Sequence, residues 1–238
     1  MSGHSKWATI KRKKGKEDAK RGQIFTKIVK EITVAARVGG GNPEGNVRLR
    51  FLIDKAKNAN MPQENITRAI KKGTGELPGV NYESFTYEGY GPGGIAVIID
   101  LLTDNKNRTA AEIRRLFTSK GGNLGETGSV NWMFQQRGVI RFASPTASEE
   151  SLLELLIDYN IDDIDKDENN FTITSDPKQL ESIKKVLTDA GYAIESADIE
   201  WVAKDLINLP EEEQQKAYDF LEALEEHDDV QHVYTNLG

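Results

Sequence analysis

The sequence predicts an α+β chain of several domains: an N-terminal three-helix domain and two ferredoxin-like (split βαβ) α/β domains, one inserted in the other. Three observations lead there. Apolar residues recur at steps of three and four through the first 75 residues, the period of a helix face. After "GTGELPG" the pattern changes to β-branched and aromatic runs punctuated by turns. From Gly138 onward the segments follow the order βαββαβ, with one helix and one strand left over at the C-terminus. At 238 residues there is room for two or three small domains, and 37% hydrophobic with 29% charged residues is the composition of a polar globular protein.

In "IFTKIVKEITVAARV", Phe25, Ile28, Val29, Ile32 and Ala36 form one face, and Gly39, Gly40, Gly41 and Pro43 stop the helix. A second helix, about 46–60, carries Leu49, Leu52, Ile53 and Ala56. Pro62 suits the first position of a third, with Ile66, Ala69 and Ile70 as its stripe and Gly73 as its stop. "YESFTYEGYG" and "GIAVIIDLL" read as a hairpin. "NRTAAEIRRLFTSKGG" reads as a helix with Thr109 and Glu112 at capping-box spacing and Ile113, Leu116 and Phe117 inward. "GGNLGETGS" reads as a turn-rich connector and "SVNWMFQ" as a strand. Then come strand "GVIRF", helix "SEESLLELLIDY", strands "IDDID" and "NFTITS", helix "PKQLESIKKVLTDAG" and strand "AIESADIEWVA". The closing helix "PEEEQQKAYDFLEALEEH" and strand "DVQHVYTN" supply what the middle segment lacks. The division expected is a basic arm (1–22), a helical domain (23–75), a split α/β domain (80–136 plus 204–238) and an inserted βαββαβ domain (137–203).

The net charge of −7 conceals a gradient. Residues 1–72 hold 18 basic and 6 acidic residues, a balance of +12. Residues 73–141 hold 7 of each, and residues 142–238 hold 6 basic and 25 acidic, a balance of −19. Such asymmetry points to a polyanion-binding front end. In the arm, Lys6, Lys11, Arg12, Lys13, Lys14, Lys16, Lys20 and Arg21 are candidates to displace counterions from a phosphodiester chain. Trp7 either stacks on a base or packs on a neighbouring domain. Lys27, Lys30 and Arg37 lie within about a quarter-turn of one another on the first helix, away from Phe25, Ile28 and Ile32. Arg48, Arg50, Lys55, Lys57, Arg68, Lys71 and Lys72 continue the excess through the next two helices. Lys106 and Arg108 stand at the mouth of a later helix, where free N–H groups favour phosphate, with Arg114, Arg115 and Lys120 behind them.

Other chemistries find little support. Gly89, Gly91 and Gly94 fit G-x-G-x-x-G, but a strand follows instead of a helix and Pro92 sits in the turn, so "GYGPGG" is read as a hairpin and not a nucleotide site. "GGNLGETGS" lacks the Gly-Lys-Ser/Thr ending of a P-loop. There is no cysteine, and His4, His227 and His232 are the only histidines, so neither a metal site, a cofactor site nor a nucleophile–base pair is nominated. The acidic faces 149–158 and 211–226 read as solvated surfaces. No stretch approaches the ~18–20 apolar residues of a membrane span, and no apolar core of a secretory signal follows the N-terminal basic run. A cytoplasmic protein is expected.

The blocks "GHSKWATIKRKKGKEDAKRGQIFTKIVKEI", "GGGNP", "ANMPQENITRAIKKG", "YEGYGPGG", "TDNKNRTAAEIR", "GGNLGETGSVNWMF" and "DDVQHVYTN" together resemble the YebC family across nearly the full chain. Residues 142–200 share only its acidic character. Bacterial members of that family are described as probable transcriptional regulatory proteins, and mitochondrial relatives as translational activators of cytochrome c oxidase. The resemblance implies a non-enzymatic cytoplasmic protein whose two α/β domains form a cleft. It implies either DNA-binding regulation at promoters or ribosome association that relieves stalling, particularly at proline runs. Lys6, Lys11, Lys14, Lys20, Arg21, Lys27 and Lys30 match its basic motif positions and suit either polyanion. The function expected is therefore a nucleic-acid-binding regulator of gene expression, acting on DNA. The alternatives are an rRNA-binding translation factor and, from another class, a protein–protein adaptor using the acidic domains.

Overall fold

The structure, a computed structural model, describes residues 21–238. Three helices come first: α1 (Arg21–Gly39), α2 (Val47–Asn58) and α3 (Gln63–Thr74). Ile28, Ile32, Ala35 and Ala36 of α1 bury against Leu49, Leu52 and Ala56 of α2 and Ile66 and Ala69 of α3. The Asn46 side chain caps α2 by accepting the Leu49 N–H at 3.0 Å and ties back to α1 by donating to the Ala35 carbonyl at 2.9 Å. Gly73 is not the stop of α3. A β-carbon there would lie 2.4 Å from the Thr33 carbonyl oxygen, so its glycine lets α1 and α3 approach, and Gly75 at φ +84° ends the helix. Pro62 falls one position earlier than expected, as the residue preceding the first turn.

The first sheet contains β1 (Glu83–Tyr90), β2 (Ala96–Thr103), β3 (Asn123–Leu124) and β8 (Val230–Thr235) in the order β3-β1-β2-β8. "GYGPGG" is the β1–β2 turn, with Tyr90 opposite Ala96 in an antiparallel pair. Helices α4 (Lys106–Ser119) and α7 (Glu211–Glu225) cover one face, where Ile113, Phe117, Phe220 and Leu224 meet Val97, Ile99 and Leu101. The rings of Phe117 and Phe220 meet edge to face at 4.9 Å. The N-cap of α4 is Asn105, which accepts the Arg108 N–H at 3.1 Å; Thr109 lies inside the helix and is buried.

Between β3 and α7 the chain builds a second unit: β4 (Phe134–Ala143), α5 (Glu149–Leu155), β5 (Ile161–Asp167), β6 (Asn170–Ser175), α6 (Leu180–Asp189) and β7 (Ile194–Ala203). Its sheet order, β5-β6-β4-β7, is that of a split βαβ, with α5 and α6 burying Leu152, Leu156, Ile183 and Leu187 against Ile140, Phe142, Phe171 and Ile173. This unit is inserted in the first, because β8 returns to pair with β2. One expected element is corrected. "SVNWMFQ" is not a separate strand: Asn131–Met133 form a 3₁₀ turn, and β4 runs unbroken from Phe134. The third strand of the first sheet is the short β3, inside the stretch read as a connector.

Candidate nucleic-acid interface

Helix α7 ends with carbonyls that no intrahelical donor reaches, carrying the negative end of the helix dipole. Side chains of α1, at steps of one helical turn, meet carbonyls at that terminus and in the turn after it. Gln23 Nε2 donates to the Glu226 carbonyl at 3.1 Å, Lys27 Nζ to the Glu225 carbonyl at 2.5 Å, and Lys30 Nζ to the Asp228 carbonyl at 2.9 Å. Lys30 Nζ also lies 2.5 Å from Asp229 Oδ1, and their side chains are 9% and 5% exposed. The other Asp229 oxygen accepts Thr109 Oγ1 at 2.6 Å and Arg108 NH2 at 3.3 Å. Burial alone would raise the Asp229 carboxyl. The hydrogen bonds from Lys30 and Thr109, together with the Lys30 charge, outweigh it and hold the group at about 2, below its ordinary 3.8.

Four of the expected phosphate-contact residues have partners within the protein. Lys30 is buried in an ion pair, and Lys27 is half-buried on a helix terminus; both dock α1 onto the first α/β unit. Arg108 is shared between Asp104, at 2.9 Å, and Asp229. Arg37, although exposed, donates to the Val80 carbonyl at 3.0 Å and to the Asn81 side chain, pinning the segment that follows α3. Lys106 remains exposed, its ammonium 4.3 Å from the centre of the Phe85 ring. Lys6, Trp7, Lys11, Arg12, Lys13, Lys14, Lys16 and Lys20 lie outside the described residues, and Arg21 opens α1.

A second charged junction joins all three units. Glu31 of α1 accepts Lys55 Nζ of α2 at 3.0 Å and lies 3.7 Å from His232 Nε2 of β8. Burial would raise the Glu31 carboxyl, yet hydrogen bonding to His232 and the Lys55 charge bring it to about 2 from 4.5. Opposite, on β7, burial raises the Asp198 carboxyl, with His232 and Lys55 opposing. Arg141 of β4 forks onto both oxygens of Glu200 on β7. Lys55 is thus also engaged with a buried carboxylate.

What stays open is the outer surface of α2 and α3. Arg48, Arg50, Arg68 and Lys71 are exposed and Lys72 half-buried, and none forms an ion pair among the described residues. Arg68, Lys71 and Lys72 share one face of α3 at steps of three and four, opposite Ile66 and Ala69. On α4, Arg114, Arg115 and Lys120 are likewise exposed.

The cleft of about 790 Å³ between α1, α4 and the α7–β8 turn is a poorer anion site. It mixes Arg108 and Arg115 with Asp104, Glu112 and Asp228. Glu112, His227 and Asp229 bring three potential ligand atoms within 4.8 Å of one another there. The Lys30 ammonium already occupies Asp229, however. His227 accepts the Asp229 N–H through Nδ1 and faces Glu112 through Nε2 at 3.0 Å, so its partners assign the proton to Nε2. The three side chains are held by this network of ion pairs and hydrogen bonds.

Against known proteins, residues 82–237 match the family described as TACO1/YebC second and third domain, and residues 5–76 the one described as TACO1/YebC protein N-terminal domain. The chain belongs to the TACO1/YebC family. Among curated relatives, one from Chlorobium chlorochromatii is 55% identical over 238 residues, covering 100% of this chain and 95% of its own length. One from Chloroherpeton thalassium is 56% identical with the same coverage. Both carry the name "Probable transcriptional regulatory protein". The crystal structure of a conserved hypothetical protein from Aquifex aeolicus is 48% identical, with a TM-score of 0.89 over 98% of this chain and 97% of that one. The TACO1/YebC fold thus accounts for the helical front and the nested α/β units. Among the described residues, no helix is long and apolar enough to cross a membrane.

Two features of this chain have no local sequence signal. Glu88 on β1 is 4% exposed, and its carboxylate organises the loop before β4. Trp132, in that loop, is 63% exposed. The clustered glycines of "GGNLGETGS" signal a loop; nothing local distinguishes Glu88 from any other acidic strand residue.

Proposed function

We propose that this protein is a nucleic-acid-binding regulator of gene expression that grips a phosphodiester backbone through the outer surface of α2 and α3, with duplex DNA as its target. The observation that carries the reading is the division of labour among the cations. Lys27 and Lys30 dock α1 onto the first α/β unit, and Lys55 and Arg108 are engaged with buried carboxylates, while the exposed Arg48, Arg50, Arg68 and Lys71 and the half-buried Lys72 have no ion-pair partner among the described residues. A helix surface that only needs solubility usually mixes signs. Phosphate contacts of this kind position a protein without reading bases. The strongly acidic C-terminal part, beginning α7 with Glu211, Glu212 and Glu213, repels the same polyanion and confines contact to the front. The relatives' regulatory name agrees with this reading.

The test places a gel shift on duplex DNA beside sedimentation with ribosomes at the same salt concentration. A duplex shift that weakens when Arg68, Lys71 and Lys72 are replaced by alanine supports the proposal. Cosedimentation with ribosomes and no duplex shift would replace DNA with rRNA as the target. Retention of neither polyanion would leave the adaptor reading in its place.

A further inference from the structure

Among the described residues, Trp132 is the sole aromatic in the set of strongly exposed large apolar side chains. Single exposed apolar residues are ordinary on protein surfaces. This one is held in a way that a solvent-facing side chain does not require. Beneath it, the buried Glu88 carboxylate accepts three backbone N–H groups: Gly128 at 2.8 Å, Val130 at 2.9 Å and Asn131 at 2.8 Å. The Glu88 carbonyl accepts a fourth, from Gly125, at 2.8 Å. The Ser129 carbonyl accepts both Tyr90 OH and the Trp132 indole N–H, each at 3.1 Å. The indole edge is thereby fixed to the loop while most of its surface meets water. Lys204 completes the group: its backbone N–H donates to the Met133 carbonyl at 2.9 Å, and its ammonium to the Trp132 carbonyl at 2.7 Å.

We infer that Trp132 and Lys204 form a stacking subsite for one unstacked nucleobase and its phosphate, so that the target of this protein includes a single-stranded segment. The inference rests on the nucleic-acid reading above and extends it to a second unit of the molecule. An exposed aromatic ring and an exposed ammonium that bonds the same residue's carbonyl offer the two partners a nucleotide needs, one for its π surface and one for its negative charge. A protein hot spot would set the ring within a packed apolar surround. Here Gly128, Ser129 and Asn131 of the adjoining loop are small or polar, while Val130 is buried and Met133 packs against the core cluster that contains it. Bases inside an intact duplex are stacked on one another and offer no face to the ring, whereas loops and single strands do. Because the carboxylate of Glu88 has ordered the loop before any ligand arrives, little conformational entropy is lost on stacking.

The experiment measures affinities of the full chain for three labelled probes of one 20-nucleotide sequence: single-stranded RNA, single-stranded DNA and the duplex. Replacing a stacking aromatic by alanine costs about 5- to 150-fold per base. Trp132→Ala is expected to weaken single-strand binding by that factor and duplex binding by less than about twofold. Trp132→Phe is expected to retain most single-strand affinity while abolishing the quenching of indole emission that the subsite produces. Preference for RNA or DNA among the single strands names the source of the base. Unchanged single-strand affinity in Trp132→Ala overturns the inference, as it would if the ring served a protein partner. If Arg68→Ala/Lys71→Ala/Lys72→Ala still weakens binding in that event, only the stacking subsite fails; if that variant also binds unchanged, the phosphate-gripping reading fails with it.

Discussion

Replacing Lys30 by methionine probes the division of cations directly. The substitution keeps the unbranched apolar stem and removes the ammonium, which bonds both Asp229 Oδ1 and the Asp228 carbonyl. With the two side chains 9% and 5% exposed, the loss leaves a buried carboxylate supported by Thr109, Arg108 and Thr103. Breaking a buried pair in this way costs about 3–5 kcal/mol, against about 0–1 kcal/mol for a solvated one. The effect has a pH signature. Asp229 titrates at about 2 instead of 3.8. A depressed carboxyl stabilises the fold above its unfolded value, here by about 2–3 kcal/mol, and that contribution disappears as the pH falls from about 4 through 2. Urea unfolding at pH 7 should show the full penalty for Lys30→Met, and the gap to the unsubstituted protein should narrow toward pH 2. Asp229→Asn combined with Lys30→Met should cost less than the sum of the two, by at least about 1.5 kcal/mol. A penalty under about 1 kcal/mol with additive effects would refute the reasoning and restore Lys30 to the phosphate-binding candidates.

Removing the Glu88 carboxylate by Glu88→Ala should cost at least about 3 kcal/mol, since three backbone donors lose a charged acceptor. It should also accelerate amide exchange at Gly128, Val130 and Asn131, and unaltered exchange would show that the loop is ordered otherwise. Gly73→Ala should destabilise by about 1–3 kcal/mol in thermal unfolding, because a β-carbon would sit 2.4 Å from the Thr33 carbonyl oxygen. A neutral result would mean that α1 and α3 are less closely packed. Glu31, held at about 2 from 4.5, stabilises the fold above about pH 5 and ceases to do so as the pH falls toward 2. Glu31→Gln should therefore flatten the acid limb of a stability profile, and an identical limb would contradict that assignment.

The helices and most strands were legible because each buries one face, and burial leaves a period in the sequence. Phe25 to Ala36 shows it for α1, and the run Ala96 to Thr103, buried at nearly every position, shows it for β2. The order of elements from Gly138 carried the nested topology, since it left α7 and β8 to complete the middle segment, where β8 pairs with β2. The loop before β4 was misread for a definite reason. Val130 and Asn131 give their N–H groups to Glu88, 42 and 43 residues away, and a long-range capture of that kind has no local pattern. The candidate interface was legible in total charge and not in its details. Lys27 and Lys30 carry the same side chain as Lys71, and only the arrival of the α7 terminus against α1 separates a structural ammonium from one facing solvent. Nothing local singles out Asp228 and Asp229, because their Lys30 partner lies about 200 residues earlier.

The central claim, that the outer surface of α2 and α3 holds phosphate, is tested most directly by the salt dependence of affinity. Each phosphate engaged on duplex DNA adds about −0.9 to the slope of log affinity against log salt. With Arg48, Arg50, Arg68, Lys71 and Lys72 replaced by alanine, the slope on a 20-base-pair duplex should become shallower by about 0.9 for every phosphate that is no longer neutralised. Affinity should then converge on that of the unsubstituted protein at high salt. Two parallel lines, with or without a vertical offset, would contradict it.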